Sequence, residues 1–402
     1  MKEKDSQVKK RSPLNVAMGA AFMMAMAAVG PGFLTQTATF TGKMGANFGF
    51  AILICIIVDV IVQLNIWRII IVSGKHAQVL VNEVVPGLGY VLTGLIVFGG
   101  FVFNIGNIGG AGLGLNVLFG ISPENGALIA AVCAIGLFLA RNAMLVVDRT
   151  VQVLAVIKVA ILVYILAVVT VPYQSAVVHT FAPTSVDFYS IVTIVGGTVG
   201  GYISFSGGHK LLEGGFKGID NVKYVNEGAL TGIGVASGIR IMLFLAGLAV
   251  VVTGVQLDPA NPAATIFKVA AGNFGYKFFG LLLLAAGMTS VLGSTFTSIS
   301  FLDYNKNQMG RKNWRSWMIV LFIIASTAVF YIVGNPANVL VIAGALNGLI
   351  LPIALAILLV ASTRKKIMGT VYRHPRWLLY TGWVVVAFMA YAGIKTLLNI
   401  SL

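Results

Sequence analysis

Apolar runs of roughly 18 or more residues recur along the whole chain, and each is long enough as a helix to cross a hydrocarbon layer about 30 Å thick. A chain built this way has lipid as its main solvent, and its backbone polar groups must be satisfied within helices. The composition agrees, with 58% apolar and 10% charged residues among 402, against about 25% charged in a soluble domain. The net charge of +15 could suggest a nucleic-acid partner, but the basic residues fall in short loops between the runs and form no continuous basic face. A lipid bilayer is therefore the expected partner, with no nucleic acid.

Eleven spans are expected, at 16–39, 47–72, 88–118, 124–144, 149–171, 188–211, 228–254, 274–303, 315–334, 337–362 and 376–398. With Met1 inside, the inner segments hold 21 Lys and Arg residues and the outer ones 3. That asymmetry puts the N-terminus in the cytoplasm and the C-terminus outside a cell membrane. The start of the chain is polar and basic, and the run after it is too long for a signal-peptide core, so no removed targeting peptide is expected. Cys55 and Cys133 fall inside apolar runs as small hydrophobes, which argues against a disulfide framework or a thiolate metal site. Lys75 to Val85 and Pro259 to Gly272 read as amphipathic helices lying on the surface.

Two spans carry breaks. Gly30-Pro31-Gly32 interrupts the first, before Phe33 and a series of hydroxyls that includes Thr35 and Thr37. Gly196-Gly197-Thr198-Val199-Gly200-Gly201 interrupts the sixth, before Tyr202. Proline removes an amide donor and glycine weakens a turn. Breaks at matching places in two five-span halves point to a midplane binding site. The plainer reading of these glycines, close packing between helices, stays open.

Several segments resemble the NRAMP family of divalent-metal transporters. Gly19 to Phe33 is similar to that family's first span, with Gly30-Pro31-Gly32-Phe33 where its Asp-Pro-Gly-Asn motif belongs. Asn47-Phe48-Gly49-Phe50 resembles the start of its second span and Leu115 to Gly120 the end of its third. Leu283 to Ser290 resembles its eighth, and Leu349-Ile350-Leu351-Pro352 its tenth. The resemblance implies an all-α, LeuT-like 5+5 inverted repeat with spans one and six unwound, working by alternating access. One transporter domain then fills 1–402: a tail at 1–13, repeats at 16–171 and 188–362, and an extra span at 376–398.

The departures bear on cargo. Gly30 replaces the family's metal-binding aspartate and Phe33 its asparagine, while Gly200-Gly201-Tyr202 stands for Met-Pro-His. Asn104 and Asn107 occupy the place of an acidic pair, and Met288 and Gly344 replace glutamines. A naked divalent ion needs anionic oxygens or soft sulfur at such a site, so no metal ligands are assigned. A small organic solute, a carboxylate or an amino-acid-like molecule, fits the change better. A compact cyclic acid such as 5-oxoproline is one such solute, although no residue names it. The alternative is a divalent-metal carrier of magnesium or manganese type with a rebuilt site.

Three charges remain deep in apolar runs: Asp59, Lys158 and Arg240. Each costs about 2.5–3.5 kcal/mol on insertion scales unless paired or hydrated. An Asp59–Lys158 ion pair is one reading. Arg240 aligns with a family asparagine facing the transport route, where a guanidinium could hold a carboxylate in two prongs. The substrate-binding candidates are thus Gly30, Pro31, Gly32, Phe33, Thr198, Gly200, Gly201, Tyr202, Asn104, Asn107 and Arg240. Asp59, Lys158, His209, Thr289 and Ser290 are coupling candidates, with H+ and Na+ both open as the coupling ion. No cofactor is implied, and the oligomeric state is not legible. Paired carboxylates, a zinc-helix motif and a phosphate loop are all missing from the sequence, which argues against an enzyme.

Overall fold

In the computed structural model, the described residues are 25, 28–139, 143–302 and 312–400. Most of the first half of the first expected span, and the basic loop 303–311, lie outside them. Among the described residues the chain is helical, with no strand. Eight helical stretches are long and apolar enough to cross a membrane, or nine if a pair bent by 111° at 156–181 is one span. One of the eight, Pro31–Ser73, runs from the later part of the first expected span through the whole second.

The elements are α1 (Pro31–Met44), α2 (Phe48–Ser73), α3 (Ala77–Val84), α4 (Leu88–Phe119), α5 (Pro123–Leu139), α6 (Ala143–Val168) and α7 (Tyr173–Phe181). They continue with α8 (Phe188–Val199), α9 (Tyr202–Glu213), α10 (Val222–Val251), α11 (Pro262–Leu302), α12 (Lys312–Val333), α13 (Pro336–Ser362), α14 (Lys365–Met368) and α15 (Arg376–Ile400).

Local chemistry sets several boundaries. Pro31 and Pro336 occupy the first turns of α1 and α13, where a missing N–H costs nothing. Gly120 closes α4 in the left-handed region, its N–H donating to the Asn116 carbonyl at 2.8 Å. The Lys277 ammonium then donates to the last carbonyls of α4, Val117 and Leu118, at 2.7 Å each, a favourable place for a cation.

Small residues bring the long helices together. Gly114 lies against the backbone of Gly280 and Leu284, and Gly287 against Ala111, which seats α4 on α11. Gly196 of α8 meets Gly344 and Gly348 of α13 main chain to main chain. Around these seams three apolar clusters form the interior.

Two segments differ from the sequence expectation. In α3, Ala77, Gln78, Leu80 and Val81 are buried against α4 and α13, so this helix is wedged into the protein instead of resting on its surface. Its short apolar face gains more from helices than from an interface. The first part of α11, from Pro262, likewise buries Ala263, Ala264, Ile266 and Phe267 and is set off from the rest of the helix by a kink at Ala271 and Gly272.

A polar latch ties α2 to the loop before α15. Asn65 donates to the carbonyls of Ile61 and Leu378, which leaves its Oδ1 to accept the His374 Nε2–H at 2.8 Å. His374 Nδ1 then accepts the Tyr372 hydroxyl at 3.1 Å. Burial first, and nearby Arg68 second, push the His374 pKa down to about 4, so the ring is neutral at physiological pH.

Candidate functional site

The two expected breaks face each other. Gly30 is extended at the head of α1, and its carbonyl accepts the Leu34 N–H at 3.3 Å. Pro31 packs on Gly110 of α4, with no room for a side chain there. In the second break Gly200 is extended and Gly201 has φ 52°, a conformation that favours glycine. A Cβ on Gly201 would collide with the Asn347 side chain of α13. Phe103 of α4 bridges the breaks: its ring edge lies 3.6 Å from the Cβ position of Gly32, and its centroid is 5.6 Å from that of Tyr202. Asn107 lies against the Tyr202 hydroxyl.

Arg240, on α10, is the hub of the polar groups. It is 2% exposed, and its Nη1 donates to Thr198 Oγ1 at 2.8 Å and to Cys55 Sγ at 3.1 Å. Thr198 passes its own proton to the Ile194 carbonyl at 2.6 Å. The guanidinium carbon stands 4.1 Å from the Phe33 ring centroid, a cation–π contact that holds its orientation. Cys55 Sγ–H in turn donates to Asp59 Oδ2 at 3.5 Å. One sulfur therefore separates the buried cation from the buried anion. Arg240 Nε and Nη2, and Asp59 Oδ1, are buried with no hydrogen-bond partner among the described residues. Nε and Nη2 form the side-on edge of a guanidinium, whose parallel N–H bonds match the two oxygens of a carboxylate.

The expected Asp59–Lys158 pair is not formed. Lys158, on α6, is buried, and among the described residues no ion pair joins it to Asp59. Asp59 is instead linked to Arg240 through Cys55, because α2 packs more closely on α10 than on α6.

The other candidates divide by surroundings. Asn104 has both polar ends engaged away from the breaks, donating to Ser326 Oγ at 2.7 Å and accepting from Ser294 at 2.9 Å. It joins α4 to α11 and α12. Asn107 keeps Nδ2 unpartnered among the described residues. Thr289 spends its hydroxyl on the carbonyls of Ala285 and Ala286, whereas the buried Ser290 hydroxyl has no partner among the described residues. His209 lies apart from Arg240: its Nε2 accepts the Ala77 N–H at 3.1 Å, and its ring stacks on Phe301 at 4.9 Å and meets His76 edge-on at 4.6 Å.

Two amides not singled out in the sequence join the site. Gln36 fills the space beside Gly197 and Gly344 and donates to the Leu340 carbonyl at 2.8 Å, leaving Oε1 unpartnered among the described residues. Asn347 donates to the carbonyls of Gly99 and Ala343 and leaves Oδ1 unpartnered against Gly201. The signal for both was an uncharged amide inside an apolar run, close to a glycine break. Among the described residues no three His, Cys, Asp or Glu side chains come together as a metal-holding group.

A family model described as natural resistance-associated macrophage protein-like matches residues 21–399. The membrane protein YcsG of Bacillus subtilis (strain 168) is 52% identical over 395 residues, covering 98% of this chain and 97% of that protein. A Haemophilus influenzae membrane protein is 51% identical over 385 residues, covering 96% of each. Among solved structures, the Eremococcus coleocola manganese transporter superposes with a TM-score of 0.71 at 16% identity, over 98% of this chain and 88% of that one. MhsT in complex with L-phenylalanine gives 0.62 at 14% identity, over 94% and 97%. MHP1, a nucleobase-cation-symport-1 family transporter with bromovinylhydantoin bound, gives 0.60 at 12%, over 96% and 90%. The fold is LeuT-like, and the chain belongs to the natural resistance-associated macrophage protein (NRAMP) family.

Proposed function

We propose that this secondary transporter carries a small carboxylate or amino-acid-like solute, whose carboxylate docks on the free edge of Arg240. The supporting observation is the pair of buried donors, Nε and Nη2, left without a partner among the described residues while Nη1 and the guanidinium face are held by Thr198, Cys55 and Phe33. A buried, unpartnered N–H is costly, and a carboxylate satisfies both at once. The helix breaks at Gly30 and Gly200–Gly201 supply backbone groups for the rest of the solute. The protein lies in the cell membrane with its basic loops and N-terminus cytoplasmic, and it works by alternating access.

The second reading is a divalent-metal carrier, favoured by the likeness to a manganese transporter. Against it stands a site built on a cation, with glycine and phenylalanine at the places of the family's metal ligands.

Counterflow in proteoliposomes separates the two. Purified protein is expected to exchange at least one of labelled 5-oxoproline, lactate or alanine, and Arg240→Gln is expected to lose that exchange by tenfold or more. Manganese uptake without carboxylate exchange would establish the metal reading. An Arg240→Gln variant exchanging at the wild-type rate would remove the anchor role.

A further inference from the structure

The charges around Arg240 do not balance once a carboxylate docks. In the structure one guanidinium faces one carboxyl group, Asp59, through the Cys55 thiol. Asp59 lies on α2, and Arg240 of α10 and Cys55 of α2 are the ionisable groups that act on it, with the Thr198 hydroxyl of α8 completing the cluster. Among the described residues no ion pair joins Lys158 of α6 to Asp59. A cargo carboxylate on the free edge of Arg240 places two anions beside one cation in a buried site. An uncompensated buried charge is strongly unfavourable. Of the groups present, the guanidinium cannot lose a proton usefully and the thiol already holds one. The carboxyl group of Asp59 can gain one, and its Oδ1 is left without a partner among the described residues.

We infer that Asp59 is the proton-coupling group of the transport cycle, taking up one proton at Oδ1 for each cargo carboxylate that docks on Arg240. This rests on the carboxylate reading and makes the proton, rather than Na+, the coupling ion. The O–H bond formed on the side of uptake breaks on the side of release, when the cargo leaves and Asp59 again balances Arg240 through Cys55. For a monocarboxylate, one negative and one positive charge cross together, so the cycle is electroneutral.

The test uses full-length protein in proteoliposomes, with whichever of labelled 5-oxoproline, lactate or alanine the wild type exchanges as the probe. Under an inside-alkaline gradient of one pH unit, the wild type is expected to concentrate the probe by up to about tenfold, with no response to membrane potential when the probe is the monoanion 5-oxoproline or lactate, and with a further rise under an inside-negative potential when it is alanine, which has no net charge. Asp59→Asn is expected to reach an accumulation ratio of about one, and Asp59→Glu to restore accumulation. Probe binding should also add the infrared carbonyl stretch of a protonated carboxyl group in the wild type and not in Asp59→Asn. This second measurement decides the matter if the variant loses exchange altogether. Accumulation driven by a sodium gradient at constant pH, pH-driven accumulation by Asp59→Asn, or an infrared band that persists in the variant would each overturn the proposal. A wild type that exchanges no probe overturns the carboxylate reading itself, a distinct result.

Discussion

The ring of Phe33, in the first turn of α1, lies 4.1 Å from the guanidinium carbon of Arg240 on α10. The first helix break and the buried cation are thereby one unit. Phe33 is 1% exposed, so Phe33→Ala removes a core side chain as well as the cation–π contact. A loss of about 3 kcal/mol in stability is expected, read as a lower melting temperature in detergent. Phe33→Tyr should retain most of the stability. Equal melting of Phe33→Ala and wild type would show that the contact carries no energy.

Arg240→Lys keeps the charge and loses the fork. A lysine ammonium cannot reach Thr198 and Cys55 while also presenting two parallel donors to a carboxylate. Carboxylate exchange is expected to fall by about tenfold or more, even though the protein keeps its positive charge. Wild-type exchange by Arg240→Lys would mean that charge alone suffices and that the side-on edge is unimportant.

Gly201 and Gly94 make a matched pair. Gly201 has φ 52° and faces the Asn347 side chain, whereas a Cβ on Gly94 would meet nothing within 4 Å. Gly201→Ala is expected to cost at least about 1–2 kcal/mol from backbone conformation alone, with further loss from the collision and abolished transport. Gly94→Ala should be neutral or slightly stabilising as a helix residue. Similar melting temperatures for the two variants would contradict the described geometry of the second break.

His374 gives a pH dependence with a defined direction. Its pKa is lowered from 6.5 to about 4, chiefly by burial and then by Arg68. Folded protein refuses a proton that the opened loop accepts. The stabilisation is therefore complete above about pH 6.5 and declines as pH falls towards 4, by at most about 1 kcal/mol per pH unit. His374→Gln can still donate to Asn65 but does not titrate, so its melting temperature should vary less between pH 7 and pH 5. Identical pH profiles for the two proteins would dismiss the latch as a titrating contact.

The helical, lipid-facing class was legible because it rests on run length and composition, which survive any detail of packing. The breaks at Gly30 and Gly201 were legible for a similar reason, since proline and glycine act on their own backbone. Arg240 and Asp59 stood out as charges in apolar runs, but the thiol of Cys55 between them did not. A cysteine in such a run looks like any small hydrophobe until α2 and α10 are packed. Asn104 shows the opposite failure: it drew attention through the family resemblance, yet Ser294 and Ser326 consume its hydrogen bonds. Gln36 and Asn347 escaped because a single amide carries no periodic signal, and their partners are carbonyls about 250 to 300 residues away in sequence.

Where α8 crosses α13, Gly196, Gly344 and Gly348 present bare main chain to one another. Val192 beside Gly348 and Gln36 beside Gly344 are the side chains that border this contact, and the two backbones lie as close as glycine allows. The same α8 ends at Gly200 and carries Thr198, the oxygen that orients Arg240. A methyl group at any of the three glycines would therefore act as a wedge between α8 and α13, and the guanidinium that Thr198 aims would be displaced with the helix.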